Sequence, residues 1–74
     1  MREKIALIIS EIAKIEAADV LADPSGFGMS KTVGWDSLAH LSIMTAIEDE
    51  FDIELSIEDM EALDTAEKIF ERLA

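Results

Sequence analysis

All three glycines and the single proline fall between Pro24 and Gly34, so no long helix crosses this stretch and regular structure must form on either side of it. The irregular segment spans Ala18 to Trp35. Structureless loops of such length are uncommon in compact domains and are usually functional. Val20, Leu21, Phe27, Met29 and Val33 make it too apolar for a free linker. They are expected to tuck over the rest of the fold, with room for a turn of helix among them. A connection this long also lets its flanking helices lie in geometries that a tight turn forbids.

On the N-terminal side, Ile5, Ile8, Ile9, Ile12 and Ile15 recur at the three- and four-residue spacing of one apolar stripe, predicting a helix from Arg2 to about Ala17. On the far side a second helix starts at Asp36 or Ser37 and runs to about Glu50, with Leu38, Leu41, Met44 or Thr45, Ile47 and Phe51 as its buried face. After a break at 52–55, Ser56 caps a brief helix, with Asp59 placed as in a capping box. Asp64 or Thr65 caps the last helix, which turns Ala66, Ile69, Phe70 and Leu73 inward. No run alternates long enough to need a strand. The reading is all-α: a single domain over residues 1–74, a four-helix bundle with a long first loop and a short third helix.

Half of the residues are apolar, enough for a core in a chain of 74 residues and too many for a disordered acidic tail. No run approaches the roughly 20 apolar residues of a membrane span. The charges scattered through MREKIALIISEIAKIEA argue against a signal peptide, so the cytoplasm is the expected compartment. With no cysteine there is no disulfide and no thiolate for metal binding or catalysis. Seventeen acids against six Lys and Arg give a net charge of −11. Eleven of the acids lie between Thr32 and Glu67, where no Lys or Arg occurs. Nucleic acid and anionic membranes are therefore poor partners, and proteins with basic docking patches are good ones. The bland alternative is a solvated, solubilising face.

Catalytic constellations fail on geometry. Asp36, Ser37 and His40 look like a compressed hydrolase triad, but neighbouring positions on a helix point in different directions. His40 is expected at the surface or rim near the helix start. The acidic run at 48–54 lacks the glycine of a calcium loop, since none follows Gly34. Gly26-Phe27-Gly28 has neither the spacing nor the lysine of a phosphate cradle. No enzyme and no metal site is expected. Trp35 and the methionines read as core fillers or loop anchors; alternatively Trp35 shields whatever Ser37 carries. Asp36 and Ser37 themselves are good helix caps, and that alone would explain them.

Residues 34–55, GWDSLAHLSIMTAIEDEFDIEL, resemble the acyl carrier protein family, whose signature is Asp-Ser-Leu at the start of the second helix. Here the signature is Asp36-Ser37-Leu38. The apolar-striped helix that follows, its Glu48-to-Phe51 ending, the short third helix, the Thr65-led fourth, the acidity and the long first loop extend the likeness over nearly the whole chain.

The resemblance implies that Ser37 carries a 4′-phosphopantetheine arm, which supplies the thiol the chain lacks, and that acyl or aminoacyl cargo rides on it as a thioester. It implies attack by the Ser37 hydroxyl on the pyrophosphate of coenzyme A within a separate, Mg²⁺-dependent phosphopantetheinyl transferase, with Asp36 helping to present the site. Loading and transfer enzymes with basic docking patches are the other implied partners, and the chain is expected to be a monomer. A helix N-terminus, with free N–H groups and a positive dipole end, suits a serine that becomes a phosphodiester.

Two and five residues after the serine, where the fatty-acid-synthase type is typically acidic, this chain has Ala39 and Ser42. Trp35 replaces a small residue and His40 lies three after the serine. That form looks more like specialised stand-alone carriers of secondary metabolism, polysaccharide modification or aminoacyl transfer. Docking charge is then expected on Glu48, Asp49 and Glu50, or on Glu58, Asp59 and Glu61. A cargo pocket between helices is expected from Ile8, Ile12, Leu41, Met44, Ile57, Met60, Leu63 and Ile69. The alternative to a covalent carrier is a non-covalent acidic helical interaction module.

Overall fold

The computed structural model describes residues 1–73. Its helices are α1 (Arg2–Ala13), α2 (Ala17–Ala22), α3 (Ser37–Phe51), α4 (Ile57–Ala62) and α5 (Ala66–Leu73), with a 3₁₀ turn at Pro24–Gly26. The all-α architecture with a long first connection and a short helix before the last one is as read. The connection also contains the two-turn α2.

α1 ends four residues earlier than its isoleucine stripe suggested. Lys14 adopts the left-handed conformation (φ 62°) and returns its N–H to the Ser10 carbonyl. The stop lets Ile15 and Glu16 turn the chain, so that α2 can bring Val20 fully into the core. Ile5, Ala6, Ile9 and Ala13 form the buried face of α1, while Ile8, Ile12 and Ile15 pack at its margin.

The long connection is fixed by backbone bonds rather than by its own core. Phe27–Met29 and Asp64–Ala66 form an isolated antiparallel bridge, with Met29 N–H on the Asp64 carbonyl at 2.9 Å and Ala66 N–H on the Phe27 carbonyl at 3.0 Å. A Cβ at Gly28 would lie 2.6 Å from the Asp64 carbonyl oxygen, so only glycine permits this approach. Further along, a Cβ at Gly34 would fall on the Ala13 carbonyl. The loop backbone therefore lies directly against the end of α1 and delivers Trp35 into the core. Val20, Leu21, Phe27 and Met29 are buried or half-buried as expected, whereas Val33 is fully exposed.

α3 buries Met44 and Ile47 and packs Phe51 on the core as expected, but in its first turns it buries His40 and Ile43 rather than Leu38 and Leu41. His40, Ile43, Met44 and Ile47 face inward, while Leu38 and Leu41 are 77% and 54% exposed. The helix is apolar around most of its circumference, so two stripes satisfied the same spacing, and the one containing a histidine read as the less apolar. Ser56 caps α4 through its Oγ, and Thr65 caps α5 by accepting the Lys68 N–H at 3.2 Å. Ala66, Ile69 and Phe70 then close the core.

Candidate functional site

Asp36 is the N-cap of α3, its Oδ1 accepting the Ala39 N–H at 2.9 Å. That bond removes one of the orphan donors of the first turn. Ser37, the first helical residue, is exposed, and among the described residues its hydroxyl bonds to no protein group. The two explanations for this pair therefore separate. Asp36 caps the helix and Ser37 does not.

Apolar side chains surround the free hydroxyl. Leu38 stands beside it on α3, and Ile57, at the start of α4, is 73% exposed. A cavity of about 350 Å³ opens next to the serine. One wall is the face of α3 bearing Ser37, His40, Leu41 and Met44. The opposite wall is Ile57, Met60 and Glu61 of α4, and Met29 reaches in from the loop. Leu41, Met44, Ile57 and Met60 were expected in such a pocket. Ile8, Ile12, Leu63 and Ile69 do not line it; Leu63 and Ile69 are instead spent in the core.

His40 is not at the surface: it is buried, 7% exposed. The indole N–H of the fully buried Trp35 donates to His40 Nδ1 at 2.9 Å, and the two rings stack with centroids 6.0 Å apart. An indole nitrogen can only donate, so Nδ1 accepts and the ring proton sits on Nε2. Nε2 in turn donates to the Met60 carbonyl oxygen at 2.7 Å. Both ring nitrogens are thus engaged away from Ser37, so His40 is not placed to activate its hydroxyl. A buried tryptophan needs an acceptor, and His40, five residues on in GWDSLAH, supplies it, which gives the histidine a core role.

Three of the acids expected to face partners are bonded within the chain, Glu48 in a half-buried contact and Glu50 and Asp59 in exposed pairs. Glu48 Oε2 accepts the Leu55 N–H at 2.7 Å, and Glu50 pairs with Lys4 at 2.8 Å. Asp59 pairs with Arg72 at 3.3 Å. Among the described residues no three His, Cys, Asp or Glu side chains come together as a metal site, and no helix is long and apolar enough to cross a membrane.

Residues 3–73 match the family described as "Phosphopantetheine attachment site". The chain belongs to the acyl carrier protein family. It is similar to the acyl carrier protein of Buchnera aphidicola subsp. Schizaphis graminum (strain Sg), with 40% identity over 68 residues, covering 92% of this chain and 82% of the relative. The chain is accordingly a non-catalytic carrier whose prosthetic group is 4′-phosphopantetheine. The residues at the head of α3 fit such a group. They offer a hydroxyl free of internal bonds, a helix N-terminus toward which a phosphodiester is favourably placed, and an apolar cavity alongside.

Proposed function

We propose that Ser37 is the attachment point of the carrier's arm, and that the chain holds acyl or aminoacyl groups as thioesters there and presents them to successive enzymes in the cytoplasm. The observation that carries this reading is the free, exposed Ser37 hydroxyl beside a cap that Asp36 already provides. Ser37 Oγ forms a bond to the phosphorus bearing pantetheine, the P–O bond of the coenzyme A pyrophosphate breaks, and the adenosine bisphosphate half leaves. The hydroxyl proton passes to a base of the transferase, because the only imidazole of the carrier is bonded to Trp35 and Met60.

Leu38 and Ile57 present apolar surface to the transferase on either side of the hydroxyl, and the acids of α4 add charge for a basic rim. The test is mass spectrometry after incubation with coenzyme A and a promiscuous phosphopantetheinyl transferase. The wild-type chain gains the mass of one arm and Ser37→Ala gains none. A Ser37→Ala variant that still gains it places the arm elsewhere, and a folded wild type that gains none favours the non-covalent interaction module.

A further inference from the structure

Taking Ser37 as the attachment point, we propose that His40 is a specificity-determining residue: it holds α4 against α3 and thereby limits the carrier to cargo short enough for the cavity of about 350 Å³ beside the serine. The His40–Met60 bond is the only hydrogen bond joining α3 to α4 among the described residues. Little else secures α4. None of its residues is buried, Ile57 points largely into solvent, and the Asp59–Arg72 pair is an exposed contact of low strength. Its firm anchor is Leu63, packed in the core just past its C-terminal end.

α3 and α4 form the two walls of the cavity, so widening it means drawing α4 away from α3. That movement pulls the Met60 carbonyl off His40 Nε2 and leaves a partly buried donor and acceptor without each other. His40 cannot follow the moving helix. Its other nitrogen is held by the indole of Trp35, which has no exposed surface. The imidazole is thus a rigid strut from the core to α4. Met29, Met44 and Met60 let the cavity adapt in shape to what enters it. Adaptation of shape does not add volume while the strut holds.

The experiment loads wild type, His40→Gln and His40→Leu with butyryl- or hexadecanoyl-coenzyme A and the transferase, then measures the rate at which hydroxylamine cleaves each thioester. Glutamine keeps one acceptor and one donor; leucine keeps neither. Butyryl thioesters are cleaved alike in all three proteins. The hexadecanoyl thioester is cleaved about fivefold more slowly in His40→Leu than in wild type, the factor one net hydrogen bond supplies, and His40→Gln behaves as wild type. Equal hexadecanoyl rates in wild type and His40→Leu overturn the inference, as does a His40→Gln variant that behaves like His40→Leu.

Should His40→Leu fail to fold, the wild type decides through the NMR resonance of the Nε2–H of its single imidazole, the proton that reaches the Met60 carbonyl. The resonance stays in place between the butyryl and hexadecanoyl forms if the strut holds, and a move toward the unbonded position overturns it. Failure of the wild type to gain any arm overturns attachment at Ser37 and this inference with it; once the mass is gained, the cleavage rates judge His40 alone.

Discussion

Glu48 closes the turn behind α3 by accepting the Leu55 backbone N–H at 2.7 Å, while its own carbonyl takes the Ile53 N–H at 3.1 Å. One residue therefore ties both ends of the break between α3 and α4. A half-buried hydrogen bond to a charged acceptor is worth about 1.5–3 kcal/mol. Glu48→Ala should lose stability of that order in urea unfolding. Asp49→Ala, its exposed neighbour, should stay within about 0.5 kcal/mol of wild type. Equal losses at the two positions would remove the special role of Glu48.

The division of labour at the head of α3 has a direct signature. Asp36→Ala should destabilise the fold by about 0.5–2 kcal/mol, because it removes the side-chain cap. Ser37→Ala should unfold at nearly the same denaturant concentration as wild type, because its hydroxyl caps nothing. The reverse order of stabilities would show that the hydroxyl, and not the carboxylate, satisfies the first turn.

Gly34→Ala tests how closely the loop is pressed against α1. The new methyl falls on the Ala13 carbonyl, a backbone atom that cannot swing aside. A loss of about 1–3 kcal/mol is expected, read as a lowered thermal midpoint. An unchanged midpoint would mean that the loop lifts from α1 at no cost.

Glu48 is bonded to Leu55 and Glu50 is paired with Lys4, whereas Glu58 and Glu61 stand exposed on α4 beside Ile57 and are the expected docking charge near the serine. Reversing Glu58 and Glu61 together to Lys should slow arm attachment by about tenfold at low ionic strength, with the gap closing as salt is added. Reversing Glu50 alone should leave the rate nearly unchanged. Equal attachment rates for the double variant and wild type at low salt would falsify docking through α4.

The Lys4–Glu50 pair sets a small alkaline dependence. The hydrogen bond to Glu50, and then its charge, raise the Lys4 pKa above the ordinary lysine value of 10.5. A group whose pKa rises on folding stabilises the fold below its unfolded value and loses that contribution as pH climbs through the folded one. Lys4→Gln should therefore melt slightly below wild type at neutral pH, and the two curves should converge in strong alkali. The pair is fully exposed, so added salt should shrink the difference as well. A difference that persists above the lysine range would trace to packing of the Lys4 stem instead.

The elements whose signals are local were legible in the residues themselves. Ser56 announced its helix as a cap, Asp64 or Thr65 did so for the last one, and the isoleucines of α1 announced their stripe. The inward face of the first turns of α3 was not legible, because its apolar residues encircle the helix and only tertiary packing chooses between Leu38 and His40. The end of α1 was hidden for a similar reason: Lys14 carries no stop signal, and its left-handed turn follows from where Val20 and Trp35 must pack. At the site, Asp36 and Ser37 could be placed at the helix start from sequence, but which of them caps depends on a single bond to the Ala39 N–H. The engagement of Glu48 with Leu55 lay equally out of reach, since an acid in an acidic run gives no hint of its partner.

The bridge between Phe27–Met29 and Asp64–Ala66 bears on when the carrier becomes usable during synthesis. The segment leading into Ser37 takes two of its backbone bonds from residues that leave the ribosome well after the serine has emerged. A nascent chain halted before Asp64 has the serine, its cap and α3, yet lacks the two bridge bonds to the preceding loop and the Ala66, Ile69 and Phe70 that close the core. The head of α3 is therefore completed only after translation has passed α5, and a transferase that reads its shape meets it with α5 already in place.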